Sequence, residues 1–561
     1  ASVIGTEFDR GLLGSIAGPD VAGRLGALID RLRRKDLVEP SGTWAGDHPV
    51  YRFHHVLVRD AAYRRLLKGH RAELHERVGR YLDRHEEPGH ELDVTVAHHY
   101  EQVHRYRSEL GTIDDATSEL GEQAMLRLRT AAEQALGRED LAAAGGYAQR
   151  ALALVTDDDV RQELLLVGCE ALLSSGNVTT GGALVEQLAA QNGDDRLGAW
   201  TDCFRAQLWS LTDADRLDEA SALADGAAAR LLSLDDQAGV AKARLVRAVT
   251  LARLGRVGDC EAELDLALGA ARAAGDRRRT VAVLGAAPLA ALWGPSPAAR
   301  AGGRCLDVLR LLRITTSSPA VEATSIRCQG VLEALRGRFD SAREKLETSR
   351  TTARDLGLRQ GLYETELFAG FVELWAGDPI AAEPHLRLAA DGLGALGIGA
   401  DAGQAKALLA RALLLTDRVD EAEPLAELAR ASAGQNLQTA IASRAVLAEI
   451  RSAQGRHDEA KQYADESIEI AERTDVVLDH ALALEAAVRT ARGAGDTDAA
   501  TRFERSAHRL FDDKGVSKLT DEPVLSTGEP GAEAGSTPGD GEVVNALSGN
   551  AAWDVNEGLF A

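Results

Sequence analysis

Aromatic side chains are scarce in this sequence. Phe, Trp and Tyr together make up 4% of the 561 residues, and there is one Met. A large globular core usually recruits more Phe, Tyr and Ile, whereas Ala and Leu fill the thin seams between packed helices. Because Ala, Leu, Gly and Arg are abundant here, the composition favours a repetitive helical array over a single compact core.

Cysteines and long apolar runs are also few. The five cysteines lie tens of residues apart without a C-x-x-C pair: Cys169, Cys203, Cys260, Cys305 and Cys328. This spacing predicts small buried thiols in a reducing cytosol. No apolar run approaches the roughly 20 residues that cross a bilayer, and the N-terminus lacks a signal-peptide pattern. We therefore expect a cytoplasmic protein without a membrane partner.

Motifs that mark common catalytic and nucleotide sites are absent. There is no G-x-x-x-x-G-K-[ST] loop to hold phosphates, no G-x-S-x-G elbow and no H-E-x-x-H pair. Histidines are frequent in one segment but recur mostly five apart: His70, His75, His85, His90, His98, His99 and His104. Zinc ligands on one helix are three or four apart. We therefore expect no enzyme, no catalytic residue, no metal and no cofactor in this chain.

Charge is distributed unevenly. The formal net charge is -23, yet residues 1–105 contain as many Lys and Arg as Asp and Glu, so the acidic excess lies beyond Arg105. Phosphate binding requires clustered Lys and Arg, and we exclude nucleic acid as a partner. The densest basic run, Arg31 with Arg33, Arg34 and Lys35, is interpreted as a solvated face or a contact with another domain.

Turn residues recur about 40 residues apart between segments of helical periodicity. They are Gly137, Gly176, Asp215, Gly255, Gly294, Gly337, Gly377, Asp417, Gly455 and Gly495. A small residue lies five positions after each of them: Ala142, Gly181, Ala220, Cys260, Ala299, Ala342, Ala382, Ala422, Ala460 and Ala500. Such a register predicts repeated helical hairpins.

Small residues also recur at two further offsets from the turn. Seven before it lie Cys169, Ala248, Ala287, Gly330, Gly370, Ala410 and Ala448, and twelve after it lie Ala227, Ala267, Ser349, Ala389, Ala429, Ser467 and Ala507. Two helices approach closely only where neither carries a bulky side chain. Segments such as "LRGRFDSAREKLETS" and "QGRHDEAKQYADES" resemble the tetratricopeptide repeat, with a longer period than is usual in that family.

The first part of the chain has a different pattern. We predict helices over about Asp9 to Ala17 and Val21 to Lys35, strands at "LVEP" and "YRFHHV", and a helix from near Val56. Helices combined with a small hairpin are a winged-helix layout. The predicted fold is therefore mainly α: a winged-helix-like module (1–68), connecting helices (69–118), an α-solenoid of about ten tetratricopeptide-like hairpins (119–514) and a disordered acidic tail (515–561).

Several blocks in residues 1–154 resemble one family. The blocks are "LGALIDRLRRKDLVEP", "YRFHHVLVRDAAYRRLLKGHRAELHERVGRYL" and "AHHYEQVHRYRSELG". They are similar to the region that follows the ATPase domain in a family of actinobacterial proteins. Those proteins join a class III adenylate or guanylate cyclase, a STAND-type ATPase and tetratricopeptide repeats. The resemblance implies an ATPase domain, with ATP or ADP, upstream in a longer parent protein. The start at Ala1 and not at Met agrees with a fragment or processed chain.

The same resemblance implies one candidate nucleotide contact. "HHVLVRD" is similar to the Met-His-Asp motif of related NTPases, in which the His contacts bound ADP. His54 then takes the Met position, His55 the His position and Val56 the Asp position, so the Asp is missing. His55 is accordingly either a sensor of nucleotide state in the intact parent or a residue that only binds nearby backbone.

Aromatic residues are concentrated once in the predicted array. "LFAGFVELW" places Phe368, Phe371 and Trp375 near one helix face, where they either fill the hairpin core or line a ligand groove. We therefore expect a sensor and scaffold region that binds a protein or small ligand and regulates an upstream ATPase. The alternatives are a stand-alone tetratricopeptide adaptor and a fragment of a large ATP-binding transcriptional regulator.

Overall fold

The computed structural model describes residues 1–516, apart from 44–48, 86–89, 139, 192, 316–317, 397–398 and 435. The predicted tail therefore lies, from residue 517 onward, outside the described residues. The chain divides into two compact units, Ala1–Asn192 and Gly193–Ala561. None of the described helices is long and apolar enough to cross a membrane.

The first unit combines a small sheet with helices. Its elements in chain order are β1 (Glu7–Asp9), α1 (Arg10–Ile16), α2 (Pro19–Ala22), α3 (Leu25–Arg34), β2 (Val38–Thr43), β3 (Pro49–Phe53), α4 (Val56–Arg64), α5 (Lys68–His85), α6 (His90–Glu109), α7 (Asp115–Gly137), α8 (Leu141–Leu152), α9 (Asp158–Ser174) and α10 (Val178–Ala189).

The sheet is antiparallel with strand order β1-β3-β2. Phe8 of β1 pairs with Tyr51 of β3 and is 1% exposed. The sequence prediction missed β1 because three residues are too short for an alternating pattern. The helix predicted over Val21 to Lys35 is also wrong in part, since Gly23 and Arg24 separate α2 from α3. That this module is a winged helix stays a prediction.

The second unit is built from helices. They are α11 (Asp195–Thr212), α12 (Leu217–Ser233), α13 (Gln237–Arg253), α14 (Val257–Ala273), α15 (Arg277–Trp293), α16 (Ala298–Thr315), α17 (Pro319–Leu335), α18 (Phe339–Asp355), α19 (Arg359–Trp375), α20 (Pro379–Ala395), α21 (Gly399–Leu415), α22 (Val419–Ser432), α23 (Leu437–Ala453), α24 (His457–Glu472), α25 (Val477–Gly493) and α26 (Thr497–Lys514), with a 3-10 turn at Ala214–Arg216.

The helices stack as repeated hairpins. In the second unit each helix packs on the next, and the first helix of every hairpin also packs on the first helix of the following hairpin. This nearest-neighbour arrangement is the organisation of an α-solenoid. The predicted mainly α fold with tetratricopeptide-like hairpins is thereby confirmed.

Local sequence explains where the helices begin and turn. Asp or Asn side chains cap the first turn of many helices by accepting a backbone N–H, for example Asn177 at α10 and Asp236 at α13. All ten predicted turn residues lie at or next to the junction of the two helices of a hairpin. Most of the glycines adopt the left-handed conformation that ends a helix, and Asp417 does so at φ 59.

Burial tests the predicted small residues directly. All fourteen residues predicted seven before and twelve after the turn are buried. Of the ten predicted five after the turn, eight are buried, but Ala142 and Ala299 are exposed. In those two hairpins the second helix begins four residues after the turn glycine, whereas in the other eight it begins two residues after the turn residue. The fourth residues of α8 and α16, Ala144 and Ala301, therefore take the position that Ala342 has in α18, and both are 0% exposed.

Candidate functional site

His55 lies at the junction between β3 and α4. Its backbone is extended, and its Nδ1 accepts the backbone N–H of Leu57 at 3.2 Å, so that the ring caps α4. In the neutral ring this leaves the proton on Nε2, which is then a donor. The side chain is exposed. His55 can therefore cap α4 through Nδ1 and, at the same time, donate a hydrogen bond from Nε2 to a separate ligand. Its role as a nucleotide sensor stays a prediction.

Helix α4 has an unusual surface. None of its residues is buried, although Val and Ala are frequent in it. Val56 is 49% exposed and Leu57 is 66% exposed, and Leu67 just beyond the helix is 80% exposed. Contiguous exposed apolar side chains mark contact surfaces more often than scattered ones do. The N-terminal half of α4 therefore presents an uncovered apolar surface beside His55.

The basic run of α3 ends close to the same place. The N–H of His54 donates to the carbonyl of Leu37 at 3.1 Å, and His54 Nδ1 lies 3.8 Å from the carboxylate of Asp36. These contacts bring the C-terminal end of α3 next to the start of α4. Arg33 pairs with Asp30 at 3.5 Å but both side chains are largely exposed. Such a pair contributes little to stability, which leaves the basic run available for contact.

A buried hydrogen-bonded chain connects α4, α5 and α6. Tyr63 of α4 bonds His75 Nε2 of α5 at 2.9 Å, and the His75 Nδ1 bonds His99 Nδ1 of α6 at 2.8 Å. The Tyr63 hydroxyl also bonds the hydroxyl of Tyr106 at 2.8 Å, to which Arg105 donates. Spacing along single helices did not reveal this chain, because its members meet across three helices.

Burial determines the charge of the two histidines. It lowers the pKa of His75 to about 2, with a further contribution from neighbouring His99 and His98. Burial and His98 lower the pKa of His99 to about 3. Both rings are therefore neutral at pH 7, and one Nδ1–H bridges them. Within the described residues, no group of three or more His, Cys, Asp or Glu side chains suits a metal ion.

In the second unit, the predicted groove residues of α19 belong to a cluster of aromatic rings, named here the aromatic cluster. Its members are Trp293, Phe368, Phe371, Trp375 and Phe511. Trp293 lies 6.0 Å from both Phe368 and Phe371, which are each 7% exposed. Trp375 stacks on Phe371 at 6.3 Å and meets the edge of Phe511 at 5.8 Å. The ligand role of the α19 aromatics stays a prediction.

One buried arginine and two partly buried carboxyl groups adjoin the aromatic cluster. The Arg327 guanidinium lies 5.3 Å from the centre of the Phe368 ring and pairs with Glu364. Burial, together with the charge of Glu364, raises the pKa of Asp401 to about 7. Cation–π contacts of this kind strengthen when water is excluded. Arg327, Glu364 and Asp401 come from α17, α19 and α21, so successive hairpins contribute to one polar region.

Comparison with known proteins finds similarity only among solved structures. No protein-family model and no curated protein matches the chain. The Rap protein complexed with competence and sporulation factor is 12% identical with a TM-score of 0.47, covering 63% of this chain and 98% of that protein. The apo quorum sensor NprR from B. thuringiensis is 10% identical with a TM-score of 0.39, covering 69% and 99%.

A STAND protein with a tetratricopeptide repeat sensor from Pyrococcus horikoshii is also similar. It is 14% identical with a TM-score of 0.37, and the match covers 84% of this chain and 62% of that protein. The chain thus matches somewhat less than two thirds of that ATPase. At these identities and TM-scores, no ligand or activity transfers from the three proteins to this chain.

Proposed function

We propose that this chain is the sensor and scaffold region of a signal-transduction ATPase, of the kind that is linked to an adenylate or guanylate cyclase. Its repeats bind a protein or small ligand, and its first module contacts the ATPase domain of the parent. The chain itself supplies no catalytic group. ATP or ADP belongs to the parent, and hydrolysis or cyclisation is the output that the repeats regulate.

The uncovered apolar surface of α4 is the observation that carries this proposal. A helix with no buried side chain loses the packing that stabilises most helices in proteins. Contact between this surface and another domain would bury Val56 and Leu57, and burial of an exposed apolar side chain contributes about 1.5–3 kcal/mol. The exposed Nε2–H of His55 would then lie inside that contact, where a phosphate oxygen is a suitable acceptor.

The hydrogen-bonded chain offers a route from this surface toward the helices that follow. Tyr63 belongs to α4, and His75 and His99 belong to α5 and α6. A displacement of α4 would therefore strain or break buried hydrogen bonds that cost free energy when left unmade. In this way, changes in helix packing caused by a ligand would be coupled energetically to the access of nucleotide to His55.

Replacement of His55 tests the sensor role in the full-length parent. We expect His55→Ala to accelerate ADP release and to change the ATPase rate, because the ring's donor is removed. His70→Ala is the matched control, since His70 is an exposed histidine on α5 outside the α4 surface. Unchanged ADP retention and ATPase rate in His55→Ala would refute the sensor role. A parent without a phosphate-binding loop upstream would indicate a stand-alone adaptor.

A further inference from the structure

The second unit closes on itself through residues more than 200 positions apart. The N–H of Asp475, between α24 and α25, donates to the carbonyl of Gly255 at 2.9 Å. In return, the two oxygens of the Asp475 carboxylate accept the N–H groups of Val257 and Gly258 at 2.6 and 2.8 Å. The loop before the last hairpin thus bonds the turn between α13 and α14.

This contact provides α14 with a cap that its own sequence lacks. Arg256 precedes α14 and makes no capping hydrogen bond with its side chain. The first N–H groups of a helix have no partner within it and form its positive end. Asp475 supplies the acceptor and the negative charge from the far end of the array.

A second contact places a basic side chain at the C-terminal end of a helix. Lys514, at the end of α26, is 0% exposed, and its Nζ donates to the carbonyls of Gly294 and, at 2.9 Å, Ser296. Gly294 follows the last residue of α15, where helix carbonyls form the negative end. Burial lowers the pKa of Lys514 to about 8, so the ammonium form predominates at pH 7. We name these bonds of Asp475 and Lys514 the closing contact.

The loop that contains Asp475 lies very close to the turn between α13 and α14. A Cβ on Gly255 would lie 2.5 Å from Thr474 Cγ2 and 2.8 Å from Thr474 Cβ, so a larger residue cannot occupy that turn. Gly255 also has φ 72, which favours glycine. Val476 is 4% exposed and packs with the apolar residues of α13 and α14. The closing contact therefore combines hydrogen bonds with a buried apolar side chain.

The helix that carries Lys514 also contributes one ring, that of Phe511, to the aromatic cluster. Phe511 lies three positions earlier, hence on the same face of α26. Its ring lies 5.8 Å from the Trp375 ring in a T-shaped arrangement and is 3% exposed. An aromatic and a basic side chain of α26 thus occupy, side by side, a site made of a Trp ring and the carbonyls that end α15.

We propose that this site is a docking site for a partner's amphipathic helix with an aromatic and a basic residue three positions apart, and that α26 occupies it when the closing contact is formed. Amphipathic helices bind grooves through side chains at this spacing. Displacement of α26, which breaks the Lys514 bonds and removes Phe511 from Trp375, would free Trp375 for the partner. The proposal rests on the repeats being a binding region and requires no ATPase.

Closure is tested on the full chain by amide hydrogen exchange at fixed pH. In Asp475→Ala the peptides that contain Val257 and Gly258 should exchange about tenfold faster, since these amides lose their acceptor. Asp340→Ala is the control, because the Asp340 side chain is fully exposed on α18, and it should leave this exchange unchanged. Equal exchange in Asp475→Ala and wild type would overturn the closing contact.

Docking is tested with a fluorescent synthetic peptide of residues 497–514 added to the full chain. The peptide should bind the Phe511→Ala/Lys514→Met protein about tenfold more tightly than wild type. The variant lacks the two α26 side chains that compete with the peptide, so the docking site is free in a larger fraction of the protein. A peptide with Phe511→Ala should not bind. Lys461→Met, at an exposed position of α24, is the protein control. Circular dichroism should show unchanged helicity in each variant.

Two results would overturn the docking site. One is equal peptide affinity for wild type and the double variant, and the other is binding that does not depend on Phe511 of the peptide. If the double variant loses helicity, Lys514→Met alone provides the same comparison, with the same two results decisive. An effect of His55→Ala on an ATPase, or its absence, leaves these outcomes unchanged, so the two proposals fail separately.

Discussion

At the scale of single residues, the seam within a hairpin leaves no space for a larger side chain. Ala342 of α18 is 0% exposed, and its carbonyl lies 3.2 Å from where a Cβ of Gly330 on α17 would be. We expect Ala342→Leu to destabilise the second unit by about 1–3 kcal/mol through overpacking. Urea unfolding measures this change.

Ala299 provides the matched control for that substitution. It was predicted to occupy the equivalent seam position but is exposed on α16. Ala299→Leu should therefore shift the unfolding midpoint little, since surface substitutions usually stay within about 0.5 kcal/mol. Similar losses in both variants would contradict the steric explanation.

Gly370 of α19 gives a second steric prediction. A Cβ at this position would lie 2.3 Å from Leu386 Cγ of α20. We expect Gly370→Ala to destabilise the protein by about 1–3 kcal/mol despite the better helix propensity of Ala. In Gly303→Ala, the added Cβ meets no described atom within 4 Å apart from its chain neighbours and the backbone of its own helix, so propensity alone should stabilise by about 0.5–1 kcal/mol. Thermal unfolding of the two variants should therefore shift in opposite directions.

At the scale of elements, the neutral histidine pair makes the packing of α4, α5 and α6 sensitive to acid. A histidine in the unfolded chain has a pKa of about 6.5, against about 2 for His75 and about 3 for His99 in the folded chain. Below pH 6.5 the unfolded chain therefore binds more protons, and stability falls as pH decreases toward 3. The two rings together contribute a slope of up to about 2.7 kcal/mol per pH unit.

The measurement is urea unfolding of the first unit at pH 7, 6 and 5. Pulse hydrogen exchange at one fixed pH then reports the unfolded fraction of α5 and α6. His75→Leu/His99→Leu should flatten the pH dependence, whereas His70→Leu should retain it, because His70 is exposed. An unaltered slope in the double variant would assign the acid sensitivity to other groups.

Element boundaries show which local signals were sufficient. The ten hairpin turns were predicted because each combines a Gly or Asp with a nearby small residue in register. Strand β1 was missed because it is short, and it forms only by pairing with β3. The histidine chain was missed for a related reason: His75 and His99 belong to different helices, whose mutual rotation is not visible in either sequence alone.

At the scale of the whole molecule, buried thiols report on folding across both units. All five cysteines are thiols outside any disulfide, and all are buried. Burial raises the pKa of Cys260 and of Cys305 to about 12, and the thiolate is the reactive form. We expect native protein at pH 8 to react with a thiol reagent only slowly, and five thiols to react quickly in denaturant.

An added surface thiol calibrates this experiment. Ala299→Cys places one thiol at an exposed position of α16, and it should react quickly in the native protein. Mass spectrometry after a short labelling pulse counts the modified cysteines. Rapid labelling of any natural cysteine in native wild type would contradict its burial.

The sequence by itself determined the repetitive part of this protein. Contacts between neighbouring helices determine the hairpin turns, the seam residues such as Ala342 and the buried cysteines. The residues in these contacts lie at most a few tens of positions apart, and the pattern repeats along the chain. Only the tertiary structure decided that Asp475 caps α14 and that Phe511 of α26 covers Trp375. Those contacts depend on small rotations accumulated over many hairpins, and no local pattern encodes their sum.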